Sequence, residues 1–430
     1  MKIGMLGFGT VGQATVSTLL KNAEEIGRRF GGTVELVAVA TRTPAKATGQ
    51  VPAHCRVSNQ IADVVNDPQI DVVVELMGGI DDAYKAVMTA LENGKHVVTA
   101  NKALLATHGN EIFNKARQRG CIVAFEGAVC VAIPVIKIMR ESMSANRIES
   151  VMGIVNGTSN FILTKMREDG LAYDLAVKQA QELGFAEADP SFDVNGNDAA
   201  HKIAILTSLA FDVPVNLAAV QMDGIAKIHI EDIKYVETMG YRIKLLASAR
   251  QSESGLFVSV QPTLVPLDHM LASVNGEMNG VHIKGDISGP TFHYGAGAGG
   301  TATSSAIVAD LLDIGRMLHC DARHFVPLTG FAAPRNSAPV YIAPGASVAP
   351  RYLRFTVNDT VGVLATISSE LARAGISVDI IHQDVPKHGH TNVLVITHDV
   401  ALEALNQALH SLQKADSIEY EIVSLPVMSN

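Results

Sequence analysis

A short apolar strand, Lys2-Ile3-Gly4-Met5-Leu6, runs into Gly7-Phe8-Gly9-Thr10-Val11-Gly12, and a helix pattern follows from Gln13 to Lys21. Glycines one, three and six of a strand-to-helix turn restrict the fold more than any other feature of this chain. The first glycine permits a tight turn and the second lets the backbone approach a pyrophosphate. The third lets helix and strand pack closely, and the helix start offers unpaired N–H groups to phosphate. Phe8, Thr10 and Val11 fill the turn between them. A dinucleotide-binding start is therefore expected.

The next strand, Val34 to Ala40, ends at Thr41-Arg42-Thr43-Pro44-Ala45-Lys46. A site that prefers NAD(H) places a carboxylate here for the ribose 2′-hydroxyl, and this chain has none. Arg42, with Lys46 behind it, suits a 2′-phosphate instead, which favours NADP(H) and leaves NAD(H) as the alternative. Further strands read at Val72 to Glu75, His96 to Thr99 and Ile122 to Phe125, with helices near Asp82 to Glu92 and Asn110 to Arg119. This alternation predicts an α/β, Rossmann-type doubly wound parallel sheet, with ligands at the strand C-terminal ends. Those ends carry Met77-Gly78-Gly79, Thr99-Ala100-Asn101-Lys102 and Glu126-Gly127.

At 430 residues the chain exceeds one core and should divide into two or three domains. A net charge of −9 without a basic stripe argues against nucleic acid as a partner. No apolar run reaches membrane-spanning length, and the chain opens on a strand rather than a signal peptide, so no membrane association and a cytoplasmic location are expected. Cys55, Cys121, Cys130 and Cys320 are scattered, which fits reduced thiols better than disulfides or zinc.

Gly184 to Lys202 carries the densest chemistry: four carboxylates, two asparagines and a terminal lysine in nineteen residues, running into an apolar helix. On a helix beginning near Asn197, Asp198 and Lys202 project from one face. Carboxylates beside an ammonium suit a small zwitterion, and a polar loop with an exposed ion pair is the alternative. Asp193 either binds substrate or supports the loop by hydrogen bonds. His201 lies about 100° around the helix from Lys202 and reads as packing or surface.

Gly7 to Gly12, Thr99 to Lys102, Asn156-Gly157-Thr158-Ser159-Asn160-Phe161 and Gly184 to Lys202 occur in the order and spacing of homoserine dehydrogenases. The chain resembles that family from Met1 to about Cys320. The family interconverts L-aspartate 4-semialdehyde and L-homoserine with NAD(P)H, on the route to threonine, methionine and isoleucine. The resemblance implies that Glu187 and Asp198 bind the amino-acid substrate and that Lys202 donates the proton. It places Gly184 at the cofactor–substrate junction, Lys102 near the nicotinamide and the reacting carbon, and Gly299 against the cofactor. Reduction of an aldehyde leaves an alkoxide that needs a proton and nearby positive charge, and either Lys102 or Lys202 can give the proton. The resemblance also implies a sodium ion held by Glu126 and the carbonyls of Val129, Val131 and Ile133. Cys130 in that loop reads as a packed thiol, with a catalytic nucleophile as the rival.

Val151 to Val155 reads as a strand delivering Asn156 to Asn160, residues that orient the nicotinamide, cap a helix, or both. With strands at Leu256 to Val260 and Val281 to Gly285 they suggest an open sheet covered by helices. Tyr294 to Asp310 reads as a glycine-rich turn and a long helix. Pro334, Pro339, Pro344 and Pro350 mark a linker. A βαββαβ order follows, with strands at Arg354 to Val357, Ile376 to Gln383, Asn392 to Thr397 and Glu419 to Ser424, and helices at Val363 to Ala374 and Leu402 to Gln413. It resembles a ferredoxin-like ACT regulatory domain, although Val361 stands where the usual proline precedes the turn glycine. That resemblance implies an L-threonine effector near Asn358, Asp359 and Gln383, or a dimerisation module without ligand.

The expected organisation is a nucleotide domain over 1–132, then an α+β catalytic and dimerisation domain over 133–325, whose helix 301–318 returns to the nucleotide domain. A linker over 326–350 and an ACT domain over 351–430 complete it, in a homodimer or homotetramer. No kinase-like segment precedes the first strand, so a fused aspartate kinase is not expected. Another NAD(P)-dependent oxidoreductase and a non-catalytic amino-acid sensor remain the competing readings, and an intact Gly184 to Lys202 segment speaks against the sensor.

Overall fold

The computed structural model describes residues 1–319, 326–332, 339–386 and 389–428; Cys320 and Pro334 lie outside the described residues. Two compact units emerge. The first comprises Met1–Val151, Ala200–Val220 and Met278–Ala338; the second comprises Met152–Ala199, Gln221–Glu277 and Pro339–Asn430.

The first unit is built on six parallel strands, β1 (Lys2–Leu6), β2 (Glu35–Ala40), β3 (Arg56–Ser58), β4 (Val72–Glu75), β5 (His96–Thr99) and β6 (Val123–Ala124), in the order β3-β2-β1-β4-β5-β6. The order reverses beside β1, the doubly wound arrangement that leaves a ligand crevice at the strand C-terminal ends. Val72, Val73 and Val74 are fully buried, because a parallel sheet is covered on both faces. The helix Lys102–Arg119 is capped by Asn101, whose side chain accepts from the Leu104 amide, and closed by Gly120 at φ 64 with Arg117 and Arg119 in its last turn. Both ends follow helix-terminus chemistry, the cap being worth about 1 kcal/mol. That helix begins eight residues before the expected Asn110, as Gly109 sits in its interior against Phe113 and Val215 rather than at its boundary.

The helix Gly300–His319 belongs to this unit. Ile307, Leu311 and Ile314 bury into the same core as Ile3, Met5 and Val98, and the Thr18 and Ser304 hydroxyls meet at 2.8 Å.

The middle of the chain supplies β7 (Ile148–Ile154), β8 (Gln221–Met222), β9 (Tyr241–Ser252), β10 (Gly255–Pro266), β11 (Met278–Gly285) and β12 (Gly289–Ala296). In the first unit β11 and β12 form an antiparallel hairpin. In the second, β9 and β10 form a long antiparallel ribbon and β8 adds parallel to β10, giving a mixed sheet. The strands β9 and β12 have no counterpart in the sequence reading.

The second unit ends in a four-stranded antiparallel sheet, ordered Val378–Gln383, His390–Thr397, Arg351–Asn358, Val423–Pro426, with helices Val363–Arg373 and Leu402–Leu412. Its last strand begins at Val423, later than the expected Glu419. Alternation decides the faces of the central strand. Leu353, Phe355 and Val357 pack with Val363, Ile367 and Leu371 of one helix and Leu405 and Leu412 of the other. Each such side chain contributes about 1.5–3 kcal/mol by burial. On the opposite face, Tyr352 Oη and Arg354 Nε both donate to Asp232 Oδ1, at 2.9 and 2.6 Å, from the helix Ile230–Thr238. No helix among the described residues is long and apolar enough to cross a membrane.

Candidate active site

The glycine-rich turn takes the form its residues require. Gly7 has φ 96, and a Cβ there would lie 2.4 Å from the Leu76 carbonyl oxygen; one at Gly12 would lie 2.6 Å from the Gly7 carbonyl oxygen. Gly9, by contrast, faces open space. The helix Thr10–Lys21 starts there with no side-chain cap, so its first amides point outward unpaired by a capping group. A phosphate-sized opening before bare helix amides fits a dinucleotide. Gly299, at φ 116, is exposed, and Gly300 packs its backbone against Thr10. Arg42 is exposed just beyond β2, and Lys46 is exposed on the short helix Pro44–Ala47.

At the ends of β4 and β5 a polar network fixes Lys102. Glu75 is fully buried, and burial raises its carboxyl above the usual range. Its oxygens accept from Thr99 Oγ1 at 2.7 Å and the Met77 amide at 2.8 Å. Thr99 Oγ1 in turn accepts from the Asn101 amide, and Asn101 Nδ2 donates to the Gly79 carbonyl at 2.7 Å. Lys102 is thereby held as the first residue of its helix, half-buried. An ammonium at a helix N-terminus opposes the dipole by about 0.3–1 kcal/mol, a cost an anionic ligand nearby would offset.

Glu126 is buried, with Oε1 accepting from the Ile136 amide at 2.9 Å and Oε2 from the Lys137 amide at 3.0 Å. Burial pushes its carboxyl up to about 7 despite those amides and the Lys137 charge. Its own amide donates to Asp310 Oδ2 at 2.9 Å, and burial, then the Glu126 charge, push Asp310 up to about 8. Val129 and Ile133 are buried beside it and Val131 half-buried; the Ile133 carbonyl accepts from the Val135 amide at 2.7 Å. Each oxygen keeps a second lone pair, and a carboxyl with backbone carbonyls is the oxygen-only kind of donor set that a hard monovalent cation takes. Cys130 is fully buried, its sulfur accepting from Asn279 Nδ2 at 3.4 Å, as a packed thiol would be.

In the second unit Asn156 gathers the acidic segment. Its Nδ2 donates to Asp193 Oδ1 at 2.7 Å and to Asp198 Oδ2 at 2.8 Å, while its Oδ1 caps the helix Gly157–Asp169 through the Ser159 amide. Both NH₂ protons are spent on carboxylates, so two like charges converge on one amide. Ser159 Oγ adds a bond to the Asp193 carbonyl, and Thr158 Oγ1 holds the Phe185 carbonyl at 2.6 Å. Gly184, at φ 78, and Glu187 lie exposed in the loop before this cluster. Lys202 follows Asp198 by one turn of the helix Asn197–Phe211, and both are at least nine-tenths buried. An ordinary surface ion pair is therefore excluded.

Three model matches now bear on these sites. Residues 134–312 match the homoserine dehydrogenase family, 7–126 its NAD-binding domain, and 351–414 the ACT domain. A homoserine dehydrogenase of Pseudomonas aeruginosa is 45% identical over 99% of this chain and 98% of its own length. The chain belongs to the homoserine dehydrogenase family. It is an NAD(P)-dependent oxidoreductase with a C-terminal ACT domain. A relative of that name in Neisseria gonorrhoeae is 43% identical over 100% of this chain and 99% of its own. The crystal structure of a homoserine dehydrogenase from Thiobacillus denitrificans superposes with a TM-score of 0.94 at 43% identity, covering 100% and 98% of the two chains. A hyperthermophilic archaeal homoserine dehydrogenase in complex with NADPH aligns over 74% of this chain and 98% of its own, at 26% identity and a TM-score of 0.63.

Three contributors escaped the sequence reading. Asn156 was read as a cap or a nicotinamide contact, not as the amide joining two carboxylates. Glu75 looked like a strand end. Asp310 stands at core register between Ile307, Leu311 and Ile314, and a carboxylate at an apolar helix position was the available signal.

Proposed function

We propose that this chain reduces L-aspartate 4-semialdehyde to L-homoserine, with NADPH preferred over NADH. The observation that carries the reading is the Asn156–Asp193–Asp198 cluster with Lys202 one buried turn further along. When bound, reduced nicotinamide supplies the hydride to the aldehyde carbon. Asp198 and Glu187 accept from the substrate ammonium, and Asn156, which also ties Asp193, holds Asp198 in place. Lys202 Nζ delivers the proton to the nascent alkoxide, while Lys102 adds positive charge beside it. Gly184 leaves backbone room where the substrate approaches the cofactor. Phe8, Thr10, Val11 and the turn glycines bind pyrophosphate through their amides, Gly299 closes on the cofactor, and Arg42 with Lys46 receives the 2′-phosphate.

A sodium ion at Glu126 and the carbonyls of Val129, Val131 and Ile133 would neutralise the buried carboxyl there. L-Threonine is the effector we assign to the ACT sheet, near Asn358, Asp359 and Gln383. Asp359 and Gln383 are exposed, and Asn358 is half-buried. The edge strand Val378–Gln383 presents Ile380 and Ile381 to solvent, which supports pairing of two ACT domains in a homodimer or homotetramer.

The test is NADPH oxidation on addition of the semialdehyde, with NADH run in parallel, for wild type and Lys202→Met. Turnover that vanishes in the variant while NADPH still binds supports the assignment. Retained kcat in Lys202→Met would remove the proton-donor role.

A further inference from the structure

One face of the β9–β10 ribbon is polar, and it is roofed. Ser248 pairs with Ser259 and Arg250 with Phe257 across the ribbon, so these four side chains share a face. Residues 340–342 pair along the edge of β10, Leu256 N–H to the Val340 carbonyl at 2.8 Å and Ile342 N–H to the Leu256 carbonyl at 2.9 Å, and residues 346–349 beyond them line the polar face as its roof. The C-terminal tail joins them through Met428 N–H to the Leu264 carbonyl at 2.9 Å. Between ribbon and roof lies a cavity of about 430 Å³. That is within the range of small-molecule sites.

Two arginines line it, and no carboxylate does. Arg351 is only 4% exposed, and its Nε is sealed from solvent without a hydrogen-bond partner. Its guanidinium makes no ion pair among the described residues. Arg250 likewise has no acidic partner among them and lies 5.7 Å from the Phe257 ring. Burial depresses the proton affinity of both. Ser248, Ser259, Thr263 and Ser347 add hydroxyls to the wall. In a chain of net charge −9, one buried and one half-buried guanidinium left without acids are costly unless something anionic enters.

We propose that this cavity binds a small oxyanion, a carboxylate or phosphate, clasped by the Arg351 and Arg250 forks and the serine hydroxyls. Guanidinium is the side chain whose geometry matches either group in a bidentate manner. Its lining includes none of Asn156, Asp193, Asp198, Asn358, Asp359 and Gln383, and no part of the reduction chemistry requires it.

The experiment is thermal unfolding of the full chain titrated with inorganic phosphate and, separately, with acetate, at ionic strength held by chloride. Wild type, Arg351→Gln and Arg250→Gln are compared, with Asp359→Asn as a control for the ACT positions. A saturable rise in Tm of about 2 °C or more is expected with at least one anion. It should persist in Asp359→Asn and disappear in both arginine variants. Unliganded Arg351→Gln should unfold no earlier than wild type, since it loses an unpaired buried charge, and both arginine variants should keep NADPH oxidation. Phosphate alone giving the shift would identify a phosphate site, and acetate alone a carboxylate site. No shift with either anion, or a shift retained in both arginine variants, would overturn the proposal. So would a change of oligomeric state in Arg351→Gln, which would place the acid partner on a second copy of the chain. Arg250→Gln, at the less buried arginine, keeps the test decisive if Arg351→Gln fails to fold.

Discussion

Asp310→Asn should flatten the pH dependence of stability, and the reason is the carboxyl pair it forms with Glu126. Asp310 rises from 3.8 to about 8 through burial and then the Glu126 charge; Glu126 rises from 4.5 to about 7 through burial. In the unfolded chain both titrate near 4, so between about pH 4 and pH 8 the native state binds more protons. Stability from these groups is fully present below the unfolded values and is lost as pH rises through about 7 to 8. Each excess proton costs about 1.4 kcal/mol per pH unit. The variant keeps an acceptor for the Glu126 amide while removing one titrating group. Its stability should therefore fall less steeply, by about 1.4 kcal/mol per pH unit between pH 5 and 7, or about 3 kcal/mol across the window. Thermal scans in choline chloride at constant ionic strength measure it, with Tm differences of about 5 °C opening between the two proteins by pH 7. Repeating them in sodium chloride at pH 8 should narrow the gap, because a cation at Glu126 stabilises the charged form. Parallel wild-type and variant curves would refute the reasoning, for they would mean Asp310 folds already ionised.

Arg42→Ala should weaken NADPH by tenfold or more, about 1.4 kcal/mol, and leave NADH almost unchanged in fluorescence titrations. Asn156→Ala removes a helix cap and both carboxylate bonds, so a loss of about 2–3 kcal/mol in denaturant unfolding and a raised KM for the semialdehyde are expected. Asp232→Ala strands Arg354, 9% exposed at its side chain, and should cost about 3–5 kcal/mol by calorimetry. Asp232→Leu with Arg354→Met should recover most of that.

Legibility tracked the distance between interacting residues. The glycine turn and the run from Asp198 to Lys202 lie within one turn or one helix, and the sequence reading reached both, whereas it missed the cap at Asn101 by starting that helix at Asn110. The strand β9 did not announce itself. Its Arg242, Lys244 and alanines look unlike a buried strand, and pairing along its whole length with β10 makes it one. Lys244 is 2% exposed because Asn160 Oδ1 accepts from it at 3.1 Å, a partner 84 residues away. The hairpin strand β12 begins Gly289-Pro290 and is half-exposed throughout, so it reads as turn. The helix that starts at Lys102 runs through Gly109, whose small size serves packing against Phe113 and Val215. Asn156 was visible as a cap, but its bonds to Asp193 and Asp198 span 37 and 42 residues and exist only once the fold assembles.

The buried charges sort by what compensates them. Asp232 and Arg354 are both buried and meet at 2.6 Å, so the pair needs nothing further to be stable, and it joins the helix Ile230–Thr238 to the ACT sheet. Lys244 is served by carbonyl oxygens, yet burial still pulls it down to about 7, so it can sit neutral and cost little. Glu126, pushed up to about 7 and accepting the Ile136 and Lys137 amides, can likewise sit neutral. Arg351 has no such resolution. A guanidinium in a cavity without acids is destabilising as it stands. Folding alone supplies no reason to place it there. Charge of the opposite sign arriving from solution does, and it turns that cost into binding energy. By this criterion the Arg351 cavity calls for an anion, whereas the Asp232 pair calls for nothing.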